Sequence, residues 1–196
     1  GHNPNYIFRG HKADIYEGGH RIPLLISWPH MIPPRTVCHK LVSLSDLYAT
    51  LADILGAPVP MNAAEDSVSN LPLWRCPDAD AVRSSAIQES IDGSLTIRQG
   101  QWKLAMCPGS GGWSYPCPGV DNTEGLPSFQ LFNIKKDIGE RTNMIQAEPD
   151  IAAALRAELT QQILRGRSAP GRDQPNNGAP IWVAVKWLED ADSVSW

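Results

Sequence analysis

The residues best equipped for chemistry fall in one stretch, Phe8-Arg-Gly-His-Lys-Ala-Asp-Ile-Tyr-Glu-Gly-Gly-His-Arg-Ile-Pro23. It sets two Arg, one Lys and two His among three glycines, directly before an apolar run. Glycine lets the backbone turn tightly or approach a ligand, and in open α/β sheets sites form in loops at strand ends. Lys12, in such a loop, offers a compact point charge for an anionic group; the plain alternative is a solvated lysine. Residues 1–40 carry five Lys/Arg against two Asp/Glu, together with all five His (His2, His11, His20, His30, His39). A basic opening in a chain of net charge −4 points to a local anion site. It excludes a nucleic-acid surface, which needs a sustained basic stripe. Residues 41–97 swing the other way, with two Lys/Arg against eight Asp/Glu.

The elements that must position this stretch follow from composition and periodicity. With 196 residues, 42% hydrophobic and 19% charged, the chain reads as one globular domain or a domain with a satellite. Its 17 Pro and 16 Gly predict many loops. The run at 22–28, bounded by Gly18-Gly19 and Pro29, reads as a strand buried on both faces, and it is too short to span a bilayer. Residues 44–55 predict a helix capped by Ser43 or Ser45, with Leu47, Leu51, Ile54 and Leu55 as its apolar stripe and Gly56 closing it. Residues 58–80 are Pro-rich and acidic, a surface connection.

The pattern then changes. Residues 94–98 and 102–106 alternate around Gln99-Gly100-Gln101, an antiparallel hairpin. A Gly/Pro/Ser-rich loop spans 108–127, a strand is expected at 129–134, and Pro149 opens a helix repeating Ile151, Leu155, Leu159 and Ile163 up to Gly166. Residues 181–188 are expected to add a last strand. The chain opens at Gly1 without a Met or an apolar leader core, and is expected to be processed or part of something longer. Among Cys38, Cys76, Cys107 and Cys117 no C-x-x-C occurs, which argues against a zinc ribbon. Cys107 and Cys117 flank a loop and would be bridged in an oxidising compartment; free buried thiols are the equal alternative.

The order of motifs closely resembles the C-terminal half of the sulfatase family. Arg9-Gly10-His11-Lys12, Tyr16-Glu17-Gly18-Gly19, Arg21, Pro23 and Trp28-Pro29 match a stretch of the type R-G-x-K-x-x-x-Y-E-G-G-x-R-x-P. The likeness continues through Ser43-Leu-Ser-Asp46-Leu to Gly56, then Ile97-Arg98-Gln-Gly-Gln-Trp102-Lys103-Leu104, Gly109-Ser-Gly-Gly-Trp113-Ser114, Gln130-Leu-Phe-Asn133 and Asp137-Ile-Gly-Glu140. The resemblance implies an α/β fold: the C-terminal edge of an alkaline-phosphatase-like α/β domain, then a small antiparallel-sheet subdomain with one long helix. It divides the chain into 1–60 as the end of the catalytic domain, 61–84 as a connection, and 85–196 as the subdomain with its helix at about 149–165.

The same resemblance implies hydrolysis of sulfate esters, on a sulfated small molecule or carbohydrate, by a formylglycine nucleophile and calcium. Both are supplied by residues upstream of this chain, so the chain alone is expected to be inactive. Lys12 matches the lysine that binds the sulfate; His2, Asn3 and His11 are expected to line the mouth where the organic part of the substrate sits. The periplasm or extracellular space is the implied location. Ser168-Ala-Pro170-Gly-Arg172 fits the nucleophile pattern C/S-x-P-x-R, but it follows the last helix and reads as a loop. Arg9 is expected to brace its loop through backbone carbonyls, Glu17 and Arg21 to be structural, Asp46 to serve the first turn of its helix, and Trp102 to be core. By the same resemblance Gln88-Glu89-Ser90 stands where members of the family carry His before the Ser, and the loop with Trp113 and Tyr115 is a place where a carbohydrate could stack. Two other readings compete: a phosphonate or phosphate ester hydrolase of the same superfamily, and a non-catalytic remnant or binding module. No nucleic acid or membrane span enters any of them.

Overall fold

The computed structural model describes residues 2, 4–179 and 181–189. Its elements run α1 (Glu17–His20), α2 (Asp46–Leu55), α3 (Leu71–Arg75), β1 (Ser85–Glu89), β2 (Leu95–Gln99), β3 (Trp102–Ala105), β4 (Gln130–Asn133) and α4 (Pro149–Arg165). Two compact units are formed, one from residues 1–22, 87–160 and 178–196, the other from 23–86 and 161–177.

In the first unit the strands make one sheet in the order β1-β2-β3-β4. The predicted hairpin is there: β2 and β3 are antiparallel with Ile97 opposite Leu104 and Gln99 opposite Trp102. β4 pairs antiparallel to β3, with Leu104 opposite Leu131 and Lys103 opposite Phe132. Leu95, Ile97, Leu104, Leu131 and Phe132 are buried, as are Ala152, Leu155 and Leu159 on α4, while Trp102 is half-buried. Ile15 and Tyr16, from the chemistry-rich stretch, join Ala105, Cys107, Phe132 and Ile134 in one buried cluster. The base of the Lys12 loop is thereby part of the sheet's own core. Residues 181–188 depart from expectation: Val183–Leu188 forms 3-10 turns broken at Val185. The Val185 N–H bonds locally to Trp182 O at 2.9 Å, and the Trp187 carbonyl accepts Arg156 at 2.6 Å, so the backbone has no need of a ladder partner.

In the second unit two expectations are corrected. Residues 22–28 are not a buried strand: no helix or strand forms there, and Leu24, Leu25 and Ile26 are exposed, Leu25 by 87%. A strand buried on both faces needs neighbours on both edges, and the described residues place none beside it. The helix α2 forms as predicted, but its stripe is not its buried side: Leu51 and Leu55 are exposed and Leu47 and Ile54 half-buried, while Asp46, Ala49 and Thr50 are buried. A polar network occupies the buried side. Asp46 accepts Arg83 Nε at 3.1 Å and Arg83 Nη2, together with the N–H groups of Ser43 at 2.8 Å and Val68 at 3.0 Å. Thr50 donates to Asp46 O at 2.6 Å and accepts the Asn70 N–H at 2.8 Å. With these groups satisfied inside, Leu51 and Leu55 are left outside. The acidic stretch after Pro58 contains α3, whose Leu71 and Leu73 are buried.

Candidate functional site

The Lys12 loop is built from the first unit alone. Arg9 enters it with its guanidinium 3.8 Å over the Tyr16 ring and donating to Glu140 O at 2.8 Å, the backbone brace expected of it. The Gly18 N–H closes back onto Arg9 O at 2.8 Å; any Cβ at Gly18 would lie 2.5 Å from that same oxygen, so only glycine allows the closure. Between these ends the chain turns through His11, Lys12 and Ala13, and Ala13 holds φ at +87°, a left-handed conformation that a non-glycine residue adopts only when its surroundings force it.

The forcing group is Asp14, fully buried. Its Oδ1 accepts the N–H groups of Trp113 at 2.7 Å and Ser114 at 3.0 Å, and its Oδ2 accepts the His11 N–H at 2.8 Å and the Ser114 hydroxyl. Burial alone pushes this carboxyl up; the Ser114 hydroxyl and the N–H donors of Ser114, His11 and Trp113 outweigh it and hold it below its ordinary 3.8. The backbone repeats the join: Ile15 N–H donates to Ser110 O at 2.7 Å, Ile91 N–H to Ala13 O at 2.9 Å, and Asp92 N–H to Gly111 O at 3.2 Å. Three segments, 10–15, 90–92 and 109–114, therefore meet around one carboxylate. A Cβ on Gly112 would sit 2.5 Å from Asp14 Oδ1, which fixes glycine there as well.

Beneath the loop lies a buried charge network. Lys103 is 0% exposed; its Nζ hydrogen-bonds Glu17 Oε1 at 3.2 Å and lies 2.9 Å from Glu140 Oε1. Glu17 also meets Arg98 at 3.4 Å and Arg21 at 3.5 Å, and its N–H donates to Glu140 Oε2 at 2.6 Å. Burial pushes Glu17 up, but the Lys103 and Arg98 charges prevail and hold it below 4.5. Glu140, where burial outweighs Lys103, is held above 4.5. His20 is pushed down to about 4 by burial and by the Lys103 charge, and its Nε2 is buried without a hydrogen-bond partner among the described residues.

The predicted site residues divide. Lys12 is exposed and has no hydrogen-bond or ion-pair partner among the described residues, and His11 stands beside it with its Nδ1 2.8 Å from Ser114 Oγ. His2 is exposed, and no hydrogen bond among the described residues joins it to the Lys12 loop; Asn3 lies outside the described residues. Ser168 is in irregular chain after α4, its N–H and hydroxyl both bonded to Asp66 Oδ1, at 2.9 and 2.7 Å. All four thiols are free, and burial pushes Cys107 up to about 12. Asp14, Ser114 and Lys103 carry much of the geometry and were not singled out from the sequence. The signal for Asp14 was its place two residues after Lys12; Lys103 had none, since it alternates with Trp102 and Leu104 at what reads as a solvent-facing position.

Residues 1–57 match the model of the Sulfatase family. The chain is 31% identical over 166 residues to the N-acetylgalactosamine-6-O-sulfatase of Bacteroides thetaiotaomicron, covering 83% of this chain and 31% of that protein. To human arylsulfatase A it is 29% identical over 187 residues, covering 86% of this chain and 36% of the relative. A solved Bacteroides thetaiotaomicron structure, from work on the metabolism of multiple glycosaminoglycans, superposes with a TM-score of 0.67 at 28% identity, over 83% of this chain and 33% of that one. The chain spans about a third of the length of the relatives it matches.

Proposed function

The chain belongs to the sulfatase family, and from that premise we propose that it forms the C-terminal portion of an enzyme hydrolysing sulfate esters, with Lys12 binding the sulfate. The observation that carries this is the pairing of an uncommitted, exposed Lys12 with a loop that cannot relax: Ala13 at positive φ, Asp14 saturated by four donors, Gly18 closed onto Arg9. A preorganised cation costs no reorganisation when charge develops on the sulfate oxygens, which is where electrostatic catalysis gains most. The relative named as an N-acetylgalactosamine-6-O-sulfatase supports a sulfated amino sugar as the first substrate to try.

The family resemblance also carries a formylglycine nucleophile and calcium. The residues of this chain do not fit a calcium site. Among the described residues no group of three or more His, Cys, Asp or Glu side chains could hold a metal ion. Of the buried aspartates, Asp14 is occupied by four donors and Asp46 by Arg83 and two N–H groups. The proposal therefore assigns nucleophile and calcium ligands to the two thirds of the relatives' length that this chain does not span, and the 196 residues alone are inactive. A periplasmic or extracellular location belongs to the same proposal. No helix among the described residues is long and apolar enough to cross a membrane.

The test has two parts. The coding sequence upstream of Gly1 is expected to hold C/S-x-P-x-R and a set of calcium-type carboxylates. The protein containing this chain is expected to hydrolyse N-acetylgalactosamine 6-sulfate or 4-nitrophenyl sulfate, and Lys12→Ala to lower kcat/KM by about 10²-fold or more. A Lys12→Ala enzyme within two-fold of the parent overturns the assignment.

A further inference from the structure

The carboxylate of Asp14 grips two things at once: the loop that carries Lys12 and the loop that carries Trp113 and Tyr115. The base of the second loop, residues 109–112, is buried, whereas Trp113 is 55% and Tyr115 74% exposed. Long loops without regular structure are usually mobile or functional, and this one is fastened by its first half so that two aromatic rings stand in water. The Trp113 ring lies 6.4 Å from the His11 ring, inclined at 45°.

The hydrogen-bond chain also fixes which nitrogen of His11 is available. Ser114 has a single hydroxyl hydrogen, and it is donated to Asp14 Oδ2. The 2.8 Å contact between Ser114 Oγ and His11 Nδ1 therefore requires Nδ1 to carry the proton, an arrangement reinforced by Asp14 Oδ2 at 3.2 Å. In the neutral ring Nε2 is then an acceptor, without a partner among the described residues, on the residue next to Lys12. An acceptor nitrogen beside a flat apolar ring matches a pyranose, which presents hydroxyl donors at its edge and C–H groups on its face; tryptophan and tyrosine suit ligands with one apolar and one wet side.

We propose that Asp14, acting through Ser114, is a positioning residue that sets His11 Nε2 and the Trp113 ring as a carbohydrate-binding subsite adjoining the Lys12 sulfate contact. This rests on the sulfatase reading and deepens it: His11 and Trp113 recognise the sugar that bears the ester, and Asp14 touches neither sugar nor sulfate.

The experiment compares N-acetylgalactosamine 6-sulfate with 4-nitrophenyl sulfate, which has no hydroxyl-bearing ring, in the protein containing this chain. Trp113→Ala and His11→Ala are each expected to lower the ratio of kcat/KM for the sugar to that for the aryl sulfate by about five- to ten-fold, through KM on the sugar, the size of one lost stacking or hydrogen-bond contact. Trp113→Phe and His11→Gln, which restore a ring and a polar group at the end of the side chain, are expected to recover most of the ratio. Asp14→Asn is expected to move the ratio in the same direction, with His11→Ala added to it producing little more. Should Asp14→Asn fail to fold, the two exposed-residue variants still decide. A ratio within two-fold of the parent in both, or parallel losses on both substrates, overturns the subsite while leaving the sulfatase reading intact. A parent protein that cleaves neither substrate overturns that reading, and the subsite with it.

Discussion

Replacing Lys103 by Met removes one positive charge from a place where water cannot compensate. The ammonium is 0% exposed and sits between Glu17 at 3.2 Å and Glu140 at 2.9 Å. Methionine fills much the same volume, so the cost is electrostatic and not a cavity. Glu17 keeps Arg98 and Arg21, but Glu140 loses its ion pair and is left with one N–H donor on Oε2 and the Arg98 charge acting from farther off. Breaking one side of a buried pair typically costs about 3–5 kcal/mol, a large share of the roughly 5–15 kcal/mol that holds an ordinary domain together. The sign of the pH dependence follows. Glu140 is already held above 4.5 by burial, and Lys103 is what limits the rise. Without it the folded carboxyl binds its proton more tightly than the unfolded one. The deficit is therefore full near neutral pH and shrinks as pH falls toward and below 4.5. Urea unfolding followed by tryptophan fluorescence between pH 4 and 7.5 measures both terms. Lys103→Met with Glu140→Gln should recover at least half of the loss, because a neutral amide needs no counter-ion. A loss below about 1 kcal/mol at neutral pH, or one that does not change with pH, would refute a buried charge network at this position.

Two further outcomes are expected. His20 is pushed down from 6.5 to about 4, so between those values the unfolded chain takes up a proton that the folded chain refuses, and stability falls with pH by up to about 3 kcal/mol; a His20→Gln variant whose unfolding free energy keeps the same pH slope over that window would contradict this. Cys38 and Cys76 are exposed whereas Cys107 is buried with its thiol raised to about 12, so mass spectrometry after brief maleimide treatment should find the first two modified and Cys107 intact until denaturant is added. Early labelling of Cys107 would show that the sheet's core is open.

Elements whose partners lie close in sequence were legible without coordinates. The alternation of Leu95, Ile97, Trp102 and Leu104 across a turn predicts β2 and β3 because each strand is the other's neighbour, and the four-residue repeat of α4 is satisfied within the first unit by Leu155 and Leu159. Where the deciding partner lies far along the chain, pattern misleads. The leucines of α2 form a clean stripe, yet Arg83, distant in sequence, claims Asp46 for the buried side and leaves Leu51 and Leu55 exposed. The 22–28 run has a strand's composition and lacks, among the described residues, a ladder to join. Of the candidate site, Lys12 was found from residue type, glycine context and resemblance. Asp14 was not, because its role depends on Trp113 and Ser114, about a hundred positions away. Lys103 sits in an alternating strand at what reads as a solvent-facing position, and only the acidic pair packed over that face reveals otherwise.

The triangle of Glu17, Glu140 and Lys103 also constrains how this lineage can drift. Loss of Lys103 alone strands Glu140 in a dry interior, whereas loss of Lys103 together with the Glu140 charge leaves Glu17 with Arg98 and Arg21 and costs far less. A single step at Lys103 thus descends into a fitness valley that a coordinated step with Glu140 crosses. Homologues that lack the lysine at the position of Lys103 should therefore also lack the glutamate at the position of Glu140.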